Sequence, residues 1–183
     1  MSKTLLDIIN HNEPVTIENQ TFADEFINPN YINGSFFINV YFKDMIFDNV
    51  YIHTTEFQNC RFSNCQFLIS EVEETKIFED DDHLWYRTDF TNCEFKNCVF
   101  QNMTWRRSYF WNTTFQSCQI NNLKFITTYI MKSRFINTYC NTLFFRRSIL
   151  DFLEIKQTQF VNLSFDFDLP LSISSSDKTI IMK

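Results

Sequence analysis

The stretch "EFKNCVFQNMTWRRSYFWNTTF", residues 94 to 115, places Phe95, Phe100, Trp105, Phe110 and Phe115 at a constant spacing of five. A helix turns every 3.6 residues and a strand alternates every two, so neither keeps a five-residue repeat on one side. The whole chain of 183 residues holds one glycine and 23 phenylalanines. A backbone that turns at fixed intervals with almost no glycine needs another residue at its corners.

The repeat extends in both directions. Counting in fives from Ile17 meets Phe22, Ile27, Ile32, Phe37, Phe42, Phe47, Ile52, Phe57, Phe62, Phe67, Val72 and Ile77; from Phe90 it runs unbroken through Phe95 to Phe165. Every one of these positions is apolar. Two residues before each lies a narrow side chain: Ser35, Val40, Met45, Val50, Thr55, Cys60 and Cys65, then Cys93, Cys98, Met103, Ser108, Thr113, Cys118, Leu123, Thr128 and Ser133. A large and a small residue two apart, pointing the same way, is the alternation of a short strand with one buried face.

Two residues after the large position come Asn19, Asn39, Asn49, Asn59, Asn64, Asn92, Asn97, Asn102, Asn112, Asn122, Asn137 and Asn162, and the lone Gly34 holds the same slot. Asparagine tolerates positive φ and hydrogen-bonds its own turn better than other side chains. Each pentad is a short strand followed by a corner.

The segments "FQNCRFSNCQF" (57 to 67) and "FTNCEFKNCVF" (90 to 100) resemble pentapeptide-repeat proteins, with Phe at the centre and Cys or Thr at the small position. The resemblance covers residues 17 to 167. It implies an all-β fold, a right-handed quadrilateral β-helix with four pentads per coil. At the inter-strand spacing of about 4.8 Å, about seven coils give a rod of roughly 34 Å. Its open ends need covering. "TLLDIINHNEP" offers Leu5, Leu6, Ile8 and Ile9 on a short amphipathic helix stopped by Pro14, an N-terminal cap over 1–16. The non-periodic 168–183 is a C-terminal cap or tail that folds over the last coil or pairs with a partner.

Thirteen residues separate Ile77 from Phe90, which is not a multiple of five, so 78–88 leaves the coil as a loop. Its Glu79, Asp80, Asp81, Asp82 and His83 lack the spacing and the glycine of a calcium loop. We expect no metal and no cofactor. Phosphate loops, dinucleotide fingerprints and nucleophile elbows each need closely spaced glycines, and His11, His53 and His83 have no evident Ser or Cys partner. A rod filled with side chains also has no natural pocket. The expectation is a non-enzyme. The six cysteines fill repeat positions and read as buried small hydrophobes in a reducing compartment. With no secretory leader in "MSKTLLDIIN" and no long apolar run, the expected location is cytoplasmic, without a membrane span.

Charge is polarised. Residues 1 to 89 carry 16 acidic and 5 basic side chains, residues 90 to 183 carry 6 and 11, and the net charge is −6. Gyrase-protecting members of the family resemble DNA in size and acidic surface and carry projecting loops, so the resemblance implies a protein partner such as DNA gyrase or topoisomerase IV and a role in drug resistance or immunity. Here only the N-terminal half would supply the acidic field, with Asp80, Asp81 and Asp82 on the loop. Arg106 and Arg107, then Arg146 and Arg147 forty residues on, suggest a basic ladder with Lys124 between them. The acidic total argues against direct nucleic-acid binding. On the neighbouring face Tyr109, Trp111, Tyr129, Met131 and Ile149 should point outward in register, an apolar stack that marks a dimer or partner interface. Two functions fit: a topoisomerase-interacting resistance or immunity factor acting by partial DNA mimicry, or a protein-interaction scaffold or secreted effector that uses the rod as a platform.

Overall fold

The computed structural model describes residues 4–9, 13–28, 30–69 and 85–166, and the backbone of 173–176 and 179–182. The chain winds as a parallel β-solenoid of seven coils. One strand per coil forms the first face, from Thr16–Glu18 to Ile149–Asp151, and another forms the second, from Thr21–Ala23 to Leu153–Lys156. The third and fourth faces begin as separate short strands, such as Ile46–Asp48 and Val50–His53. From the fourth coil on they fuse into eight-residue strands, Val99–Arg106, Gln119–Ile126, Tyr139–Arg146 and Gln159–Asp166. Ladder partners lie twenty residues apart, as in Phe22↔Phe42 and Phe115↔Phe135, so four pentads make a coil. This is a pentapeptide-repeat solenoid, all β apart from one helical turn and a half at its start.

Large and small positions both point inward. The rings stack coil on coil in columns: Phe37–Phe57–Phe90–Phe110 at 4.8, 5.0 and 4.9 Å, and Phe42–Phe62–Phe95–Phe115–Phe135 at 4.7, 4.7, 5.0 and 4.6 Å. Between adjacent faces they meet edge-on, as Phe62 and Phe67 do at 66°. Both geometries suit the ring quadrupole, and each buried Phe contributes about 1.5–3 kcal/mol of transfer free energy. Hydroxyls at the small position do not remain unpaired: Thr113 donates to the carbonyls of Phe90 (3.2 Å) and Trp111 (3.4 Å), tying one coil to the coil below. Cys93 repeats the pattern with Phe57 and Thr91.

The corners hold positive φ, for example 53° at Asn59, 54° at Asn97 and 62° at Gly34. Most corner N–H groups donate to a carbonyl of the next coil, as Asn97 does to Gln116 at 3.0 Å. Asparagine adds something glycine cannot. Its side chains hydrogen-bond in a continuous ladder, Asn39 to Asn19, Asn59 to Asn39, Asn92 to Asn59 and Asn112 to Asn92, at 2.9–3.2 Å. Asn162 departs from the expected corner: it lies inside the fused strand Gln159–Asp166 and is absent from the positive-φ set, whereas Asn102 and Asn122 keep φ of 57° and 62° at the same place in Val99–Arg106 and Gln119–Ile126.

The insertion is displaced from its expected place. Ile52 pairs with Trp85 and Phe57 with Phe90, thirty-three residues on where the ordinary step is twenty. The slots that counting in fives assigns to Val72 and Ile77 are therefore filled by Trp85 and Phe90. Residues 85–88, expected in the 78–88 loop, belong to the coil: Trp85 is buried, its indole N–H donates to the Val50 carbonyl at 3.0 Å, and Tyr86 faces outward. Val72, Ile77, His83 and Asp80, Asp81 and Asp82 lie outside the described residues.

At the N-terminal end the helix Leu5–Ile9 buries Leu5 and Ile9 on the first coil, while Leu6 faces solvent. Thr4 and Asp7 cap each other reciprocally at 3.0 and 3.1 Å. The Glu25 carboxylate accepts the N–H groups of Leu5 and Leu6, closing the helix start onto the rod. At the other end Ile173–Ser176 and Thr179–Met182 form an antiparallel hairpin on Leu153–Lys156, extending the second face.

Candidate interaction surface

Outward positions of the first face flank each buried ring, so every coil shows two of its side chains to solvent. Ladder register aligns Asp89, Tyr109, Tyr129 and Ile149 in one column and Thr91, Trp111, Met131 and Asp151 in the other. The expected apolar stack is thus present on one wall. Tyr129 is 47% and Ile149 50% exposed, so the C-terminal hairpin on the second face leaves them open. Tyr109 stacks on Trp111 (6.2 Å, 15°), its hydroxyl reaches the Met131 sulfur at 3.6 Å, and the Lys132 ammonium sits 4.4 Å from the Trp111 ring centre. Phe152, a corner residue at φ 51° that follows Asp151, is 54% exposed. Below the wall, Asp89 stacks on Glu56, and its carboxylate accepts the Tyr109 N–H at 2.9 Å. Burial pushes the Asp89 carboxyl up, opposed by that N–H and reinforced by the Glu56 charge.

The arginines gather differently from the expected ladder. Arg106 and Arg146 share an outward column with Tyr86 below and Ile126 between them, whereas Lys124 lies in another column between Thr104 and Phe144. Lys124 is thus no rung of it. Arg146 pairs with Asp166 at 3.4 Å. Arg107 and Arg147 are corner residues at φ 53° and 48°, in line with Arg87, which the sequence reading had placed in the loop. Two guanidinium groups converge on one phenol: Arg107 donates to the Tyr86 hydroxyl at 2.7 Å, and Arg87 and Arg107 lie 5.3 and 5.7 Å from its ring centre. The Arg107 hydrogen bond, and then the charges of Arg107, Arg87 and Arg106, hold the Tyr86 phenol below its ordinary value. The insertion hid this cluster, although Trp85 standing five residues before Phe90 was the available clue.

The six cysteines are free and buried; burial pushes the Cys93, Cys98 and Cys140 thiols up, Cys140 to about 12. Among the described residues no group of three or more His, Cys, Asp or Glu is placed to hold a metal. The interior space bounded by Leu5, Ile32, Phe37 and Trp85 is an apolar packing gap within the core. No helix among the described residues is long and apolar enough to cross a membrane.

No protein-family model matches the chain, and no curated protein matches it significantly. Among solved structures it is similar to QnrB1, described as a plasmid-mediated fluoroquinolone resistance protein. One trypsin-treated variant is 11% identical with a TM-score of 0.42, covering 81% of this chain and 70% of that one. A second trypsin-treated variant is 12% identical with a TM-score of 0.39, over 79% and 83%. Full-length QnrB1 is 12% identical with a TM-score of 0.19, over 79% and 86%. At that identity and superposition the likeness transfers no function.

Proposed function

We propose that this protein is a non-enzymatic, rod-shaped protein-binding platform that docks its partner on the first-face wall. The observation that carries the reading is the in-register stack of Tyr109, Trp111, Tyr129, Met131 and Ile149, held in parallel ladder register, with Tyr129 and Ile149 exposed and Tyr109, Trp111 and Met131 half-buried beside them. An apolar patch of about 400 Å² is worth about 10 kcal/mol at ~25 cal/mol per Å², and association costs of similar size leave a weak to moderate affinity. Trp111→Glu tests it. The variant keeps its β circular dichroism and loses partner capture, or falls in mass by light scattering if the wild type is a homodimer through this wall. A folded variant with unchanged mass and binding refutes the reading.

A second reading is partial DNA mimicry toward a topoisomerase such as DNA gyrase or topoisomerase IV, in a resistance or immunity role. It draws on the family resemblance and on the acidic N-terminal half. The described N-terminal coils, residues 13–69 and 85–89, hold 8 acidic and 3 basic side chains, among them Asp24 and Asp44 stacked as corners one coil apart. Much of the remaining acidic excess, 7 carboxylates against one lysine, falls in 70–84. The reading requires purified protein to rescue gyrase supercoiling from a quinolone; absence of both rescue and gyrase co-precipitation removes it.

A further inference from the structure

The arginine corner and the apolar wall adjoin. Arg107 precedes Tyr109, and Arg147 precedes Ile149, with only the inward Ser108 and Ser148 between them, so guanidinium and ring emerge on either side of one corner. On the second face two arginines are matched coil to coil, Arg61 with Glu94 and Arg134 with Glu154. At this corner they are not: Arg107 bonds a neutral phenol, and among the described residues no carboxylate pairs with Arg87, Arg107 or Arg147. Three of the six residues of the corner column, Gly34, Thr54, Arg87, Arg107, Thr127 and Arg147, are arginine. Like charges so placed favour an anionic partner, and the planar guanidinium fork suits carboxylates in bidentate geometry.

We infer that wall and corner form one composite site for an extended acidic protein segment, its apolar side chains on Tyr109, Trp111 and Tyr129 and its carboxylates on Arg107 and Arg147. The inference rests on the platform reading and names the partner's chemistry. Arg107 and Arg147 are two coils apart, about 9.6 Å at the sheet spacing, which is about three residues of extended chain. The segment therefore carries acidic residues about three apart with aromatic or aliphatic residues beside them. A long polyanion such as nucleic acid fits less well, because Glu56 and Asp89 occupy the same face two coils and one coil below Tyr109. A second copy fits less well: packed wall to wall about a twofold axis it sets the arginine edge against itself when antiparallel, and against Asn92, Asn112 and Lys132 when parallel.

The test uses the full chain with a random Glu-Tyr copolymer (4:1), polyglutamate and a 20-mer oligothymidylate as probes, read by fluorescence anisotropy. Asparagine is the commonest residue at the left-handed corners, so Arg107→Asn with Arg147→Asn removes charge without straining the turn. The copolymer binds the wild type more tightly than polyglutamate does. The arginine double variant weakens it about tenfold, and so does Trp111→Gln, with melting temperatures unchanged. Binding also weakens between 50 and 300 mM NaCl, a readout that needs no variant. Wild type that ignores the copolymer, affinity that ignores salt or the arginine pair, or tighter binding of oligothymidylate overturns the inference. If the arginine pair is silent while Trp111→Gln still weakens binding, the acidic-partner inference fails and the platform survives; if both are silent, the platform fails as well.

Discussion

Asn97→Val isolates what the corner asks of its residue. Asn97 sits at φ 54° and is exposed, so substitution disturbs no core packing. Its backbone N–H still reaches Gln116, but its side-chain bond to Asn64, 3.2 Å, is lost. A left-handed conformation costs an ordinary L-residue about 1–2 kcal/mol, and a β-branched one more. The lost exposed hydrogen bond adds about 0.5 kcal/mol. Together these come to about 2–3 kcal/mol, which for a chain of this size lowers the melting temperature by about 5–10 °C. Asn97→Gly is the control, since it loses the same bond and carries no steric cost. Thermal unfolding by circular dichroism separates the two. If valine melts no lower than glycine, strain at the corner is not what selects asparagine, and the turn argument is wrong.

Other outcomes follow from the interior and its titrating groups. Phe95→Ala removes a ring stacked between Phe62 and Phe115 and costs about 3–5 kcal/mol by denaturant titration. Thr113→Val keeps the shape but deletes the hydroxyl's bonds to Phe90 in the coil below and to Trp111 in its own coil, costing about 1 kcal/mol in the same assay. In native protein at pH 8 the cysteines resist a thiol-disulfide probe and all six react after denaturation, because they are buried and several thiols are pushed up. Asp89, a carboxyl whose folded pKa is raised, contributes stability that is present below the ordinary carboxylate value and lost as pH rises through its folded value. Asp89→Asn accordingly stabilises the rod near pH 7, keeps an acceptor for the Tyr109 N–H, and loses its advantage at pH 3; a variant less stable than wild type at pH 7 contradicts this.

Much of the coil was legible because a solenoid is quasi-one-dimensional: each residue's surroundings repeat at a fixed sequence offset, so pattern becomes position. Phe95, Cys98 and Asn97 announce ring, small slot and corner without any long-range knowledge. The wall followed from the same register, which is why Tyr109, Trp111, Tyr129 and Met131 emerged as expected. The insertion did not follow. Val72 and Ile77 happen to continue the count of five, and nothing local distinguishes an apolar residue in phase from one stacked in a coil; only the pairing of Ile52 with Trp85 does. Arg87 and Tyr86 were lost with it. Asn162 shows the converse, an asparagine in phase that takes no left-handed turn, although Asn102 and Asn122 take one inside equivalent fused strands. Contacts such as Lys132 over Trp111 depend on rotamers that no repeat encodes.

The outward columns bear on function for a reason the fold itself supplies. Thr16, Phe36, Glu56, Asp89, Tyr109, Tyr129 and Ile149 occupy equivalent positions of the first face, each beside a buried apolar residue and each in the same parallel register. The backbone accepts threonine, glutamate and tyrosine there alike, and surface substitutions of this kind usually move stability by no more than about 0.5 kcal/mol. Folding therefore does not require the change from carboxylates on the third and fourth coils to aromatic rings on the fifth and sixth. Exposing rings where a polar residue serves the fold equally well brings only an association hazard, unless something covers them. On the platform reading, the pressure that placed them acts from outside the rod, and the arginines across the corner add a charge that such a covering partner must match.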